Sequence, residues 1–302
     1  MEKQVTFKNG IWDMAGILYL PEDFKESSKY PSLVFENPGG SVKEQTPADY
    51  GKGLAEKGFL VLTFDASHQG ESEGEPRLLD NPFERVEDIK CGVDFLTTLP
   101  YVDRQRIGTV GQCAGSGFAI FAALTDRRLK AVCGLCCTNP GATTRQGWDG
   151  RRTVEENIKV LDQIAEQRTA EVNGESIKYV HYVPEKEEIN DTTYPDMIKG
   201  NHYYREEALH PNSPNLFRFI GLANRMTFDT YEFIPQYLDR PFLVIAGSEA
   251  GSLWQSRQAY ELSRGPKELF IVEGAGHFDF YDNPACIQKT VDKLAEFFTQ
   301  NL

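Results

Sequence analysis

Short apolar runs alternate with helix-period segments through roughly the first 135 residues, and this alternation excludes most architectures. Residues 32–36, 59–64, 107–110 and 131–135 are near-continuous apolar runs bounded by turn residues, while 48–57, 82–99 and 114–125 between them read as helices. Strands without a polar face are buried on both sides, which is the environment of a parallel sheet covered by helices. The chain is therefore expected to be α/β, with a mostly parallel, doubly wound sheet. Ahead of it, residues 5–7 and 14–19, separated by Lys8-Asn9-Gly10, predict an antiparallel hairpin.

The rhythm breaks at Asn139-Pro140-Gly141. Thr153 and Glu156 have the spacing of a capping box, and Val154, Ile158, Leu161 and Ala165 follow at helical spacing, so a helix is expected there that ends by Asn173-Gly174. From that point to Asp239 the chain reads as irregular and rich in aromatics, among them Tyr179, Tyr182, Tyr194, Tyr203, Tyr204, Phe217 and Phe219. The α/β rhythm returns with strands at 241–246 and 268–272 and helices at 253–264 and 284–302. The expectation is one discontinuous domain, residues 1–139 and 240–302, carrying an inserted lid, residues 140–239.

Charge narrows the range of partners. Lys and Arg total 32 against 45 Asp and Glu, a formal charge of -13, with no dense basic cluster. Such a surface repels phosphate backbones and anionic lipid, so neither nucleic acid nor membrane is expected as a partner. The uncharged stretch 107–125 approaches membrane-spanning length, but Gly108, Gly111, Gly115 and Gly117 suit a buried strand-turn-helix better. A soluble, cytoplasmic protein is expected. Six cysteines in 302 residues do not form a disulfide framework, and Cys133, Cys136 and Cys137 lie in a strand-like run where packing is the expected role.

The most informative stretch is Gly111-Gln112-Cys113-Ala114-Gly115, entered from an apolar strand and followed at once by a helix. This is the G-x-nucleophile-x-G elbow in its required strand-turn-helix context, with Cys in the position more often held by Ser. A thiol at a helix N-terminus is favoured as the thiolate, and a thiolate nucleophile points to acyl transfer through a thioester. Gly70-Glu71-Ser72-Glu73-Gly74 fits the same spacing, but no apolar helix follows it and two carboxylates flank Ser72, so it is expected to be a polar loop.

The general base is expected to be His277, which follows the 268–272 strand in Gly274-Ala275-Gly276-His277 just before the last helix. The acid belongs after the 241–246 strand, where Glu249 is the obvious candidate. Asp239, another carboxylate brought in by the fold, and a Cys113–His277 dyad without an acid remain alternatives. His68, His181, His202 and His210 lie in loops or the insertion, with His202 in reach of a pocket. An oxyanion hole needs two preorganised backbone N–H groups. Ala114 supplies one by position, and Gly39 in Asn37-Pro38-Gly39-Gly40 is the choice for the other, with Gly40 second.

Together these residues resemble the α/β-hydrolase superfamily, and within it the dienelactone-hydrolase-like branch that includes YcjY-type proteins and polyketide-transferase homologues. The matching blocks are Asn37-Pro-Gly-Gly-Ser-Val-Lys-Glu-Gln-Thr46, Phe64-Asp-Ala-Ser-His-Gln-Gly-Glu-Ser-Glu-Gly-Glu-Pro-Arg77, the Cys113 elbow, and Pro266-Lys-Glu-Leu269 leading to His277 and Tyr281-Asp282. Relatives often carry His where this chain has Asn37. The resemblance implies an α/β-hydrolase fold and a cofactor-free hydrolase of carboxylic ester, lactone or thioester bonds, using Cys113, His277 and Glu249. The expected partner is a small-molecule acyl substrate, and a homodimer is compatible with the sequence. Two rivals stand beside this reading: an acyltransferase with the same Cys-His apparatus, and a non-catalytic ligand-binding protein on a hydrolase scaffold.

Overall fold

The computed structural model describes all residues, 1–302. Strands β1 (Glu2–Asn9) and β2 (Trp12–Tyr19) form the hairpin. Then follow β3 (Tyr30–Glu36), α1 (Thr46–Glu56), β4 (Leu60–Phe64), α2 (Pro82–Thr98), β5 (Val102–Gln112), α3 (Ala114–Thr125) and β6 (Leu129–Leu135). After the insertion come β9 (Phe242–Gly247), α9 (Leu253–Leu262), β10 (Lys267–Val272), α10 (Asp279–Asp282) and α11 (Pro284–Asn301), the numbers between belonging to the insertion. The eight strands order as β1-β2-β4-β3-β5-β6-β9-β10. The hairpin joins antiparallel through β2 and β4, and every pairing from β4 to β10 is parallel.

The strands β4 and β9 are buried at every position because helices cover both faces. Two apolar clusters result, one on each side of the sheet. One gathers Ile89, Val93, Phe118 and Ile120 from α2 and α3 against Val34, Leu62 and Val132. The other gathers Tyr50, Leu54, Leu294 and Phe298 from α1 and α11 against Leu33, Phe35 and Ile245. Adjacent positions of one strand, such as Leu33 and Val34, thus serve opposite cores. This explains why the strand sequences lack polar alternation.

The insertion joins the neighbouring parallel strands β6 and β9. It holds α4 (Pro140–Gln146), α5 (Val154–Val172), β7 (Tyr179–His181), α6 (Pro195–His202), β8 (Leu216–Arg218), α7 (Leu222–Thr227) and α8 (Ile234–Tyr237). Thr153 and Glu156 close the expected capping box on α5, and Gly174 with φ +91° follows its end. Val154, Ile158, Leu161 and Ala165 nevertheless face solvent, while Asn157 and Ile164 are the buried residues of that helix. The stretch beyond Gly174 is more ordered than its sequence implies: β7 and β8 pair as a small antiparallel sheet between short helices. Such elements are too short to leave a periodic signal. No helix is long and apolar enough to cross a membrane.

Candidate active site

The loops at the carboxyl ends of β3, β5, β9 and β10 converge on one point, the usual location of a site in an open α/β sheet. Cys113 stands between β5 and α3 with φ 53° and ψ −121°, a conformation that a residue with a side chain adopts only under constraint. The constraint is visible around it. Its N–H donates to Leu135 O at 2.9 Å, and its carbonyl accepts from the Ser116 N–H at 3.0 Å. The flanking glycines are required by space. A Cβ on Gly111 would lie 2.2 Å from Gly115 O, and one on Gly115 would lie 2.4 Å from Glu36 O and 2.5 Å from Asn37 O. Ser116 is a structural residue here, bonding the Cys113 carbonyl and accepting from the Thr138 N–H at 3.0 Å.

Cys113 lines one cavity with Ala114, His277 and Tyr281, whose polar groups act on its thiol. Burial alone would push this thiol up, but the His277 charge and the polar groups beside it outweigh burial and hold the thiol below its ordinary value. His277 shows the converse. Its burial works against protonation, but the adjacent Cys113, together with the Asp196 charge, raises the imidazole above its ordinary value. The two directions are reciprocal, each group favouring the charged form of the other. His277 is fully buried, with the Trp148 ring 5.0 Å away in an edge-on arrangement.

The side chain that meets His277 Nδ1 comes from the loop after β9, where the sequence places the acid, but it is not Glu249. Glu249 is exposed, and its carboxylate accepts from the Ser248 hydroxyl at 3.4 Å without reaching His277. Asp239 is also remote, held by Arg127 at 2.7 and 2.8 Å. His277 Nδ1 instead lies 2.7 Å from Ser252 Oγ, in the same β9–α9 loop and fully buried. The nearby carboxylate comes from the insertion. Asp196, in the first turn of α6, accepts from the Gly251 N–H at 2.8 Å, the Trp148 Nε1–H at 3.1 Å and the His277 N–H at 3.4 Å. No sequence signal marks Asp196, whereas Ser252 follows from looking for any polar group in that loop. His202 is half exposed beside Glu206 and Glu207 and does not line the cavity.

The loop after β3 is fixed through its carbonyl groups. Arg85, itself held by Glu36, donates to Asn37 O at 2.9 Å; the Tyr204 hydroxyl donates to Gly39 O at 3.1 Å; Ser213 Oγ donates to Gly40 O at 2.6 Å. Asn37 donates through Nδ2 to Phe64 O at 2.6 Å, a purely structural bond. With the carbonyls turned away, the Gly39 N–H has no partner within the protein, and Gly39 lines the cavity beside Cys113 and Ala114. That is the arrangement a two-amide oxyanion site requires. The cavity is about 200 Å³, walled by Trp148, Tyr182, Tyr204, Phe278 and Tyr281 with Cys113 at its base. Arg225 also reaches it, but its guanidinium is paired with Asp80.

The other pentapeptide is a structural loop. Ser72 Oγ donates to Asp65 O at 2.6 Å and accepts from the Ala15 N–H at 2.9 Å, while Glu71 pairs with the buried Lys43 at 2.7 Å. Cys133, Cys136 and Cys137 are fully buried; burial pushes the Cys133 and Cys136 thiols well up and that of Cys137 up to about 12.

An eight-stranded, mostly parallel sheet with a nucleophile-position elbow after β5 and a histidine after β10 defines an α/β hydrolase. The model of the dienelactone hydrolase family matches residues 14–146, a little under half of the chain. It is 38% identical to Uncharacterized protein YcjY of Escherichia coli (strain K12), over 100% of both chains. The crystal structure of hypothetical protein PA2218 from Pseudomonas aeruginosa superposes with a TM-score of 0.93 at 32% identity, covering 100% of this chain and 94% of that one. Polyketide transferase claH of Penicillium crustosum is 24% identical over 90% of this chain and 88% of its own. The similarity to the dienelactone hydrolase family supports an enzyme acting on esters or similar bonds.

Proposed function

We propose that the protein is a cysteine-dependent hydrolase of carboxylic ester, lactone or thioester bonds that needs no cofactor for its chemistry. The observation that carries this reading is the placement of Cys113 on a strained elbow that opens, with His277, Tyr281 and Ala114, on one cavity. The thiolate attacks the acyl carbon, and the amides of Ala114 and Gly39 hold the resulting oxyanion. The imidazolium of His277 gives its proton to the departing alkoxide or thiolate as the carbonyl re-forms. A thioester on Cys113 remains, and His277, now neutral, takes a proton from water as the water attacks it. Collapse then releases the acid and returns the thiolate–imidazolium pair. Ser252 orients the ring through Nδ1, and Asp196 ties the insertion to the Gly251 and Gly276–His277 backbone. Residues 140–239 act as a lid, limiting water in the cavity.

The size of the cavity sets the expected acyl group. About 150 Å³ of apolar cavity accommodates benzene, so a volume of about 200 Å³ favours an acyl group near the size of one six-membered ring. Because Arg225 is already paired with Asp80, a neutral acyl group fits better than a carboxylate-bearing one.

The test combines pH-dependent iodoacetamide labelling with turnover of neutral aryl esters, lactones and thioesters. Cys113 should label first near neutral pH, because burial pushes Cys91 and Cys137 up to about 12 and Cys286 up to about 11. The profile of kcat/KM should be a bell. Its acid limb should fall below the ordinary thiol value of 9.0, because Cys113 is lowered, and its alkaline limb above the ordinary imidazole value of 6.5, because His277 is raised. If Cys113 titrates as an ordinary thiol and Cys113→Ala keeps full activity, the mechanism is wrong.

Similarity to a polyketide transferase favours one second reading, capture of the same thioester by an alcohol or amine. Adding acceptors and measuring the partition of acyl product away from the free acid separates the two. A binding protein on this scaffold would give no acyl adduct at Cys113 by intact mass after exposure to an activated ester.

A further inference from the structure

Tyr281 belongs to α10, four residues after His277, and is buried. Its hydroxyl stands 3.5 Å from His277 Nε2, and Tyr281 and Cys113 line the same cavity. The ring is held before any substrate arrives, with Phe278 at 4.5 Å, Tyr203 at 5.2 Å and His277 at 5.8 Å between ring centres. The rest of the site leaves this hydroxyl without a role. His277 Nδ1 is engaged by Ser252, and the oxyanion donors are backbone amides.

We propose that Tyr281 is a catalytic residue that donates its O–H to the resting Cys113 thiolate, the third donor at Sγ beside His277 and the Ala114 N–H. This rests on the reading of Cys113 as the nucleophile. The need for such a donor follows from the chemistry of sulfur. A serine is deprotonated only as it attacks, so its alkoxide does not accumulate. A cysteine paired with imidazolium rests as an anion, and in a cavity walled largely by aromatic rings that anion needs permanent donors in place of water. Burial, with the neighbouring thiolate, pushes the phenol well above its ordinary value, so it stays protonated and remains a donor.

The same bond has an opposing effect. When Sγ attacks, its charge moves to the carbonyl oxygen and the Tyr281 bond weakens, so the donor makes more thiolate but each thiolate less reactive. Removing the hydroxyl should therefore have opposite effects on the two sides of the titration. In Tyr281→Phe, the midpoint of Cys113 labelling by iodoacetamide should rise by about one pH unit, with about tenfold slower labelling on the acid limb. On the alkaline plateau the variant should label as fast as the native protein or faster. A purely structural role would lower both limbs together.

Acylation by p-nitrophenyl acetate should show the same crossing. Superimposable profiles, or a uniform loss with native circular dichroism, would overturn the proposal. If Tyr281→Phe does not fold, replacing tyrosine by 3-fluorotyrosine gives a more acidic phenol and a stronger donor. The Cys113 midpoint should then move down, and an unmoved midpoint overturns the proposal. A native Cys113 that titrates as an ordinary thiol would defeat the nucleophile reading itself. A low native midpoint that Tyr281→Phe leaves in place defeats only the role of Tyr281.

Discussion

Two pentapeptides in this chain share the spacing glycine, any residue, nucleophile, any residue, glycine, and the fold uses them in opposite ways. At Gly111–Gly115 the first glycine closes a strand, the last stands in a helix, and Cys113 between them is forced to φ 53°. At Gly70–Gly74 the loop is fixed by the buried carboxylate of Asp65 and ends at Gly74 without entering a helix. Ser72 is almost fully buried with its oxygen engaged twice, so no lone pair is directed at a substrate. Spacing alone therefore carries little information. What makes a nucleophile is a strand and a helix that meet at an angle only a strained residue can bridge.

The largest effect should come from exchanging the two nucleophile positions in a test of turnover. Cys113→Ala should lower kcat on p-nitrophenyl acetate by at least about 10³-fold, whereas Ser72→Ala should leave it within about twofold. The reverse result would break the comparison. Next in size is Gly115→Ala. Its Cβ would meet the carbonyl oxygens of Glu36 and Asn37, backbone that cannot swing aside, and would displace the elbow from the β3 loop. Displacement of reacting groups on the ångström scale costs about 10²-fold, so a folded Gly115→Ala protein should lose that much in kcat/KM.

A smaller effect separates the two residues of the β9–α9 loop. Ser252→Ala removes the bond to His277 Nδ1 and should lower kcat/KM by about tenfold, equivalent to about 1.4 kcal/mol, while Glu249→Gln should stay within about twofold. Equal losses would restore Glu249 as the orienting acid. The smallest effects concern stability. Ser72→Ala leaves Asp65 O and the Ala15 N–H without their partner and should cost about 1–3 kcal/mol in urea unfolding. Thr153→Ala removes the cap of α5 and should cost about 1 kcal/mol without changing kcat.

Much of the fold was legible because it rests on local patterns. The limits of α3 match the expected segment, and β3, β4, β6 and β10 are each found within two residues of expectation. β5 is the exception, beginning at Val102, well before the apolar run, because the polar stretch Asp103-Arg104-Gln105-Arg106 extends this central strand at its partly exposed end. The site was legible where one element fixes the residue. Cys113 and His277 occupy the turns after β5 and β10, and both reach the same cavity. It was not legible where a contact joins distant elements. Asp196 reaches the Gly251 and His277 amides across 55 and 81 residues of sequence, from a helix of eight residues whose own pattern is weak. Tyr281 lies close to His277 in sequence, but nothing in Phe278-Asp279-Phe280-Tyr281 says which aromatic ring turns toward the sulfur.

The sequence by itself determined the order of strands and helices, the strained turn at Cys113 and the acidic charge balance, because each depends on neighbouring residues or on composition. Tertiary structure alone decided what surrounds the sulfur. The partner of His277 is the hydroxyl of Ser252 and not the carboxylate of Glu249, because the β9–α9 loop turns Glu249 to water and folds Ser252 inward. The groups beside Cys113 likewise come from α3, from the β10–α10 loop and from α10, elements separated by more than 160 residues and brought together only when the sheet closes. Short-range geometry is encoded locally. Electrostatics depends on distance in space, and only the folded chain fixes that distance.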